Sequence, residues 1–321
     1  MIPHVGGISL MSSPYFIGID IGGTKMAVSI FEVTSASVER VERFASGADC
    51  KPDEMVSQLV AVAQDWIAEK DRAPEAVGVS VGAVYDGKSG CVTDAPHLPN
   101  WKGFPVVATF KEAFGVPVFA ENDANACALA EWRHGAGRGC EHVIFLTFGT
   151  GLGAGLIFNG RLYRGASGLA GEVGAIRVAE SGPAVRDKPG CLEGFASGAG
   201  IALLGQAARD RNTDTVLPEN PTAKDVFTAA ADGDAVAMAV VAESIEKLGQ
   251  GLATLLDVLS PDRIVLGSIF VRAEPMIRPQ LEATLRREAM AETQAACQIV
   301  PAELGESIGD FGAATLAELG L

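Results

Sequence analysis

The sequence predicts a two-lobed α/β protein. Three observations carry that expectation. The 321 residues exceed what one small core holds. Two units of the same kind, an apolar strand, a Gly/Thr turn and a returning strand, lie at 15–31 and 143–158. Around them, short apolar runs alternate with stretches whose apolar residues recur at helical spacing.

Residues 15–20 read as a strand, 22–25 as a turn and 26–31 as a second strand, which makes a hairpin. From 52 to 70, Met55, Val56, Leu59, Val62, Ala63, Trp66 and Ile67 fall on one helical face. A strand is expected at 77–81, a helix at 105–114 closed by Gly115, a strand at 116–120 and a helix at 124–134 closed by Gly135. After the second hairpin, Asn159-Gly160 signals a further turn, and 161–200 reads as glycine-rich and irregular. Helices are expected at 196–210, 222–231, 234–259, 273–288 and 310–319, and strands at 263–266 and 298–301. The expected organisation is a flexible leader over 1–14, a small lobe over 15–120 completed by a C-terminal helix near 305–321, and a large lobe over 121–304.

Composition removes several functional classes. A formal net charge of −15 disfavours nucleic acid, whose phosphates need a basic surface. No apolar run approaches the roughly 20 residues of a membrane span, and the N-terminus lacks a signal peptide's basic and apolar regions. The six cysteines are scattered without a metal or disulfide spacing, which suits free thiols and a cytoplasmic location.

Chemistry concentrates at the turns. The run Gly-Thr-Gly-Leu-Gly-Ala at 149–154 has the outline of a dinucleotide fingerprint, but that motif needs a helix directly after it, and here a strand follows. The Lys-Ser/Thr ending of a Walker loop is absent as well. There remains a pair of Gly/Thr turns, Gly22-Gly23-Thr24-Lys25 and Gly149-Thr150-Gly151, whose amides can approach phosphate oxygens closely. Asp20, just before the first turn, would repel phosphate unless Mg²⁺ lies between, so it is expected to order that ion, directly or through its waters. In the run Glu-Asn-Asp-Ala-Asn-Ala at 121–126, Asp123 opens a helix. A carboxylate there serves as a cap, and the helix dipole keeps it ionised, as a base for phosphoryl transfer requires.

These runs, with Leu-Ala-Gly-Glu-Val-Gly at 169–174, Gly-Cys-Leu-Glu-Gly-Phe-Ala-Ser-Gly at 190–198 and Pro-Asp-Arg-Ile-Val-Leu-Gly at 261–267, stand in an order and spacing that resemble the ROK family of sugar kinases and sugar-responsive repressors. The resemblance covers nearly everything from Tyr15 onward. It implies an actin-like ATPase (ribonuclease H-like) fold with the active site in the interlobe cleft, closure of the lobes over a sugar, ATP and Mg²⁺ as reactants, and transfer of phosphate to a hexose or N-acylated hexosamine. By the same resemblance Asp123 is the catalytic base. Gly82, His97, Asn100, Asn122, Glu172 and Glu193 contact the sugar. Asp20, Gly22, Gly23, Thr24, Lys25, Gly149, Thr150, Gly151 and Gly267 serve ATP. A homodimer is compatible with it.

The departures are local. The family's zinc site takes one His and three Cys. Here Ala175, Ala184 and Arg186 stand at three of those positions and Cys191 at the fourth, so no structural zinc is expected and Cys191 reads as a buried thiol. Ala175 also removes a polar contact to the sugar, which leaves the acceptor open. The alternative reading is a catalytically reduced sugar-binding or regulatory member. A repressor is disfavoured, since Asp20 leaves no room ahead of it for a DNA-binding domain.

Overall fold

The structure is a computed structural model that describes residues 13–95, 98–185, 188–212 and 214–321. The expected leader over 1–12, together with His97 and Arg186, lies outside the described residues. The chain divides into two compact units, one running to Asp123 and including Gly309–Leu321, the other Ala124–Ile308.

Elements of the first unit are β1 (Tyr15–Ile21), β2 (Lys25–Glu32), β3 (Ser37–Ala45), α1 (Pro52–Ala68), β4 (Val77–Val81), a small hairpin of β5 (Val84–Asp86) and β6 (Cys91–Asp94), α2 (Val106–Phe114) and β7 (Val118–Asn122). Next along the chain are α3 (Asp123–His134), β8 (Val143–Leu146), β9 (Ala154–Phe158), β10 (Arg161–Leu162), β11 (Ala184–Val185), β12 (Lys188–Pro189), α4 (Leu192–Phe195), α5 (Gly198–Arg211), α6 (Ala223–Ala231), α7 (Ala235–Leu259), β13 (Arg263–Leu266), α8 (Ile269–Glu288), α9 (Ala291–Ala296) and β14 (Gln298–Pro301). The C-terminal helix, α10 (Ile308–Leu319), returns to the first unit from Gly309 onward.

Both units are built on a five-stranded sheet, and the two sheets share one topology. The orders are β3-β2-β1-β4-β7 and β10-β9-β8-β13-β14. In each, the hairpin strands pair antiparallel and the last two join parallel to the first. The likeness seen between the two hairpins thus extends to whole sheets.

In the first unit, the branched residues of β1, β2 and β4 are fully buried against Met55, Leu59 and Ala63 of α1 and Val106 and Phe110 of α2. On α10, Ala314 and Ala317 meet Phe16 and Phe31, and Phe311 sets its ring edge-on to Phe31. Gly18 and Gly78 are paired neighbours on β1 and β4. A Cβ on Gly78 would come within 1.8 Å of the Ala313 carbonyl oxygen. The two glycines therefore form a smooth strip on which α10 rests at backbone distance.

The second unit's core gathers β8, β9 and β13 against α5, α7 and α8, through Ile144, Leu146, Leu156, Ile201, Leu248, Leu252, Leu281 and Leu285. Glu131 of α3 is fully buried and satisfied by main-chain donors from two loops: Ala136 at 2.7 Å, Glu303 at 3.2 Å and Leu304 at 2.9 Å. It ties the end of α3 to the chain after β14. Among the described residues no helix is long and apolar enough to cross a membrane.

Several elements depart from the sequence reading. The strand expected at 116–120 lies at Val118–Asn122, so it carries Asn122 to its very end. Helix α8 begins at Ile269 rather than at 273, with a kink at Ala273 ahead of Pro275 and Pro279. Strand β3 was not expected. It is an edge strand, mostly exposed, whose alternating Glu and Arg residues leave no apolar period to read.

Candidate active site

In the first unit, candidate residues collect at the carboxyl ends of three adjacent parallel strands. The register sets Ile21 beside Val81 and Val81 beside Asn122. The segments leaving the three strands therefore start from one end of the sheet, where open α/β sheets place their ligands.

After β1 comes the first Gly/Thr turn. Gly22 N donates to Lys25 O at 3.0 Å, and a Cβ on Gly22 would sit 2.8 Å from that same oxygen. Ser46, beyond β3, braces the turn: its N–H donates to Thr24 O at 3.1 Å and its hydroxyl to Gly22 O at 2.5 Å. Gly23 lies at the bend, with Thr24 and Lys25 exposed beside it.

After β4 comes Gly82, whose N–H donates to Ile21 O at 2.7 Å. A Cβ there would stand 3.3 Å from Ile21 O and 3.5 Å from Asp123 Oδ2. After β7, Asn122 Nδ2 donates to Ala83 O at 3.3 Å and to Asp123 Oδ1 at 3.1 Å. Asp123 is the first residue of α3, where the aligned peptide dipoles favour negative charge.

Asp20 completes the group. Burial pushes its carboxyl up to about 6; the Ser80 hydroxyl opposes the rise, Asp123 and Asp310 add to it, and Lys25 opposes it. Asp310, on the first turn of α10, is itself buried and paired with Arg43 of β3. Its own carboxyl is raised by burial against the pull of Arg43 and Lys25. Sequence reasoning missed Asp310 and Arg43. The available signal was one acidic residue inside the otherwise apolar run 308–317.

The raised Asp20 carboxyl has a definite sign in stability. Below the ordinary value of 3.8 both folded and unfolded chains carry the proton and nothing is lost. As pH rises toward about 6 the unfolded chain ionises first, so the folded state loses ground and the penalty is complete above that value. A shift of this size corresponds to a penalty on the order of 2–3 kcal/mol. Asp20→Asn is therefore expected to be more stable than the wild type at pH 7.5 and no more stable at pH 3.5. Urea unfolding at the two pH values checks this, and equal stability at pH 7.5 would contradict it.

Asn100 is placed differently. Its amide nitrogen donates to the carbonyls of Ala48 at 3.0 Å and Cys50 at 3.4 Å. Neither bond involves Asp20, Gly82 or Asp123.

In the second unit the second Gly/Thr turn follows β8. Two amides from the first turn of α5 hold its backbone: Gly198 N donates to Gly149 O at 2.7 Å and Ala199 N to Thr150 O at 3.1 Å. Thr150 is exposed at the bend. Gly267, after β13, lies against the base of the turn, where a Cβ would be 2.9 Å from Thr147 O. Ser268 follows at φ 47°, and its hydroxyl oxygen lies 3.4 Å from where a Cβ on Gly149 would be.

Glu193 is buried, and its Oε1 accepts from Leu152 N at 3.3 Å. It nests between two glycines. A Cβ on Gly151 would approach its Oε1 to 2.8 Å, and one on Gly174 its Cβ to 3.1 Å. The turn and the carboxylate are thus in contact. Glu172 is exposed at the start of the short 3₁₀ turn Val173–Ala175.

Of the four positions read for zinc, Ala175 and Ala184 present exposed methyl groups and Cys191 is a buried thiol. Among the described residues no group of three or more His, Cys, Asp and Glu could hold a metal ion. A Mg²⁺ ion would need less, since it binds through one or two carboxylates with phosphate and water completing its shell, and burial, Asp123 and Asp310 all oppose the charge that such an ion would favour on Asp20.

The ROK family profile matches residues 16–319. The chain is 30% identical over 324 aligned positions to a glucokinase of Halalkalibacterium halodurans, covering 96% of each. A ROK hexokinase structure from Thermus thermophilus is similar with a TM-score of 0.82 and 30% identity, over 95% of this chain and 98% of that one. A ROK family glucokinase from Streptomyces griseus, in complex with glucose and AMPPNP, is similar with a TM-score of 0.77 and 30% identity, over 95% and 100%. The fold is the actin-like ATPase fold of these structures. With a match that leaves out only the chain ends, this protein belongs to the ROK family.

Proposed function

We propose that the chain is an ATP-dependent sugar kinase that transfers the γ-phosphoryl group of ATP to a sugar hydroxyl, with Asp123 as general base. The observation that carries this reading is the Asp123 carboxylate at the start of α3, with Asn122 donating to its Oδ1 and the backbone of Gly82 close beside its Oδ2, where a Cβ would stand 3.5 Å away. A carboxylate so placed can take the acceptor hydroxyl's proton as its oxygen bonds to phosphorus.

The remaining candidates take roles on this reading. The turns at Gly22–Lys25 and Gly149–Gly151 hold the phosphates of ATP, with Gly267 beside the second. Asp20 would hold Mg²⁺, directly or through water, and that ion supplies charge neutralisation on the phosphates. Asn122, Glu172 and Glu193 orient the sugar hydroxyls, with Gly82 admitting the ring. The glucose in the Streptomyces griseus relative supports a hexose as acceptor. Ala175 leaves room for a bulkier substituent, so N-acylated hexosamines belong in the same class.

A coupled ADP-release assay over hexoses, N-acetylhexosamines and polyols tests the proposal. Turnover is expected with at least one hexose or N-acetylhexosamine. ATP binding without turnover on any sugar would refute the kinase and favour a sugar-binding, catalytically reduced member.

A further inference from the structure

Glu172 and Glu193 are joined by an excursion that folds back on itself. Its inner part is a short antiparallel ladder. Leu192 N donates to Ile176 O at 2.8 Å, Val178 N and Ala179 N donate to Gly190 O at 2.9 and 3.1 Å, and Arg177 and Cys191 form a β-bridge. Its outer part is only two residues to a strand, β11 against β12. So short a hairpin does not hold itself.

Two cationic side chains cross between the limbs. Arg177 Nη1 donates to Pro189 O at 3.0 Å, and Lys188 Nζ donates to Ala175 O. The second bond reaches the turn that carries Glu172. Ala175 closes that turn, its N–H donating to Glu172 O at 3.1 Å. Gly174, in the same turn, lies against Glu193: a Cβ on it would stand 3.1 Å from Glu193 Cβ. Ala175 has only a methyl group, so a polar anchor for the turn arrives at its carbonyl. A donor that carries full charge makes the stronger kind of hydrogen bond.

We propose that Lys188 is a positioning residue of the sugar site. Its ammonium group holds the Val173–Ala175 turn in place and so fixes Glu172 relative to Glu193. The inference rests on the reading of those two carboxylates as sugar ligands. It predicts a large effect on the acceptor and little on the nucleotide, because two amides of α5 hold the backbone of the Gly149–Gly151 turn, and the turn meets this region through Glu193, which α4 carries.

The test compares Lys188→Met, which keeps the stem and loses the donor, with Lys188→Arg, which keeps a donor, in the full chain. With glucose, or the sugar of the panel that turns over fastest, Lys188→Met is expected to raise the sugar KM about 5- to 20-fold, equivalent to roughly 1–2 kcal/mol. The ATP KM should stay within about 2-fold, and Lys188→Arg should restore most of the loss. Amide hydrogen exchange gives a second readout. Lys188→Met should speed exchange at Ala175 and Ile176 about tenfold or more, with α7 unchanged.

Unchanged exchange overturns the proposal. So does faster exchange with an unaltered sugar KM, or a parallel rise in both KM values, which marks general loosening. If the wild type turns over no sugar, the kinase reading fails by itself, and exchange at Ala175 and Ile176 still decides whether Lys188 holds the turn.

Discussion

Asp123→Asn is expected to lower kcat by about 10²- to 10⁴-fold, the range that a positioned general base supplies. Asparagine keeps the size of the side chain and can still meet Asn122, which already donates to Asp123 Oδ1 at 3.1 Å. It cannot take the proton of an acceptor hydroxyl. The two Gly/Thr turns are untouched, so nucleotide affinity should stay within about 3-fold and the melting temperature should barely move. Steady-state kinetics with nucleotide titration separates the two quantities. A variant that turns over at the wild-type rate would remove Asp123 from the mechanism.

Gly78→Ala is expected to have the largest effect on stability. The added methyl would lie 1.8 Å from the Ala313 carbonyl oxygen and 2.9 Å from Ala317 N, both backbone atoms of α10. No rotamer change relieves a clash with backbone, so the helix must lift from β1 and β4. Overpacking typically costs 1–3 kcal/mol, and a forced helix shift belongs at or above the top of that range, about 3 kcal/mol or more. For a chain of this size that amounts to a fall of roughly 5 °C in Tm. Gly47→Ala is the control, because a Cβ there meets nothing within 4 Å. It should change stability by less than about 0.5 kcal/mol. Thermal unfolding of both variants decides the matter; a Gly78→Ala protein as stable as the control would mean that α10 does not rest on the strip. Activity should suffer as well, since α10 carries Asp310 and brings Gly309 against Asp20, 2.5 Å from where its Cβ would be.

Much of this was legible in the sequence because the informative residues are neighbours along it. The two turns announce themselves through adjacent Gly and Thr, and Asp123 through the run that opens α3. Strands β13 and β14 fall at 263–266 and 298–301, as their apolar runs indicate. The parts that stayed hidden are those that meet only in space. Arg43 and Asp310 pair across 267 positions, and neither is marked by its own surroundings as a partner of the other. Lys188 reads as an ordinary turn lysine until the fold brings Ala175 to it. Strand β3 was hidden for another reason: an exposed edge strand selects charge rather than alternation, and carries no apolar signal. Helix α8 starts four residues ahead of the expected 273, with Pro275 and Pro279 inside it and a kink at Ala273.

The division of the chain bears on how it is made. The first unit contains both the opening strands and Gly309–Leu321, while the whole of Ala124–Ile308 is synthesised between them. Domains emerging from the ribosome tend to fold as they appear, N-terminal first. Here the first unit to emerge is the last that can be completed. Until α10 has been synthesised, the glycine strip of β1 and β4 and the rings of Phe16 and Phe31 remain without their cover. The nascent protein therefore carries an open apolar face through the synthesis of the whole second unit, and its first unit is committed to the native state only when α10 has emerged.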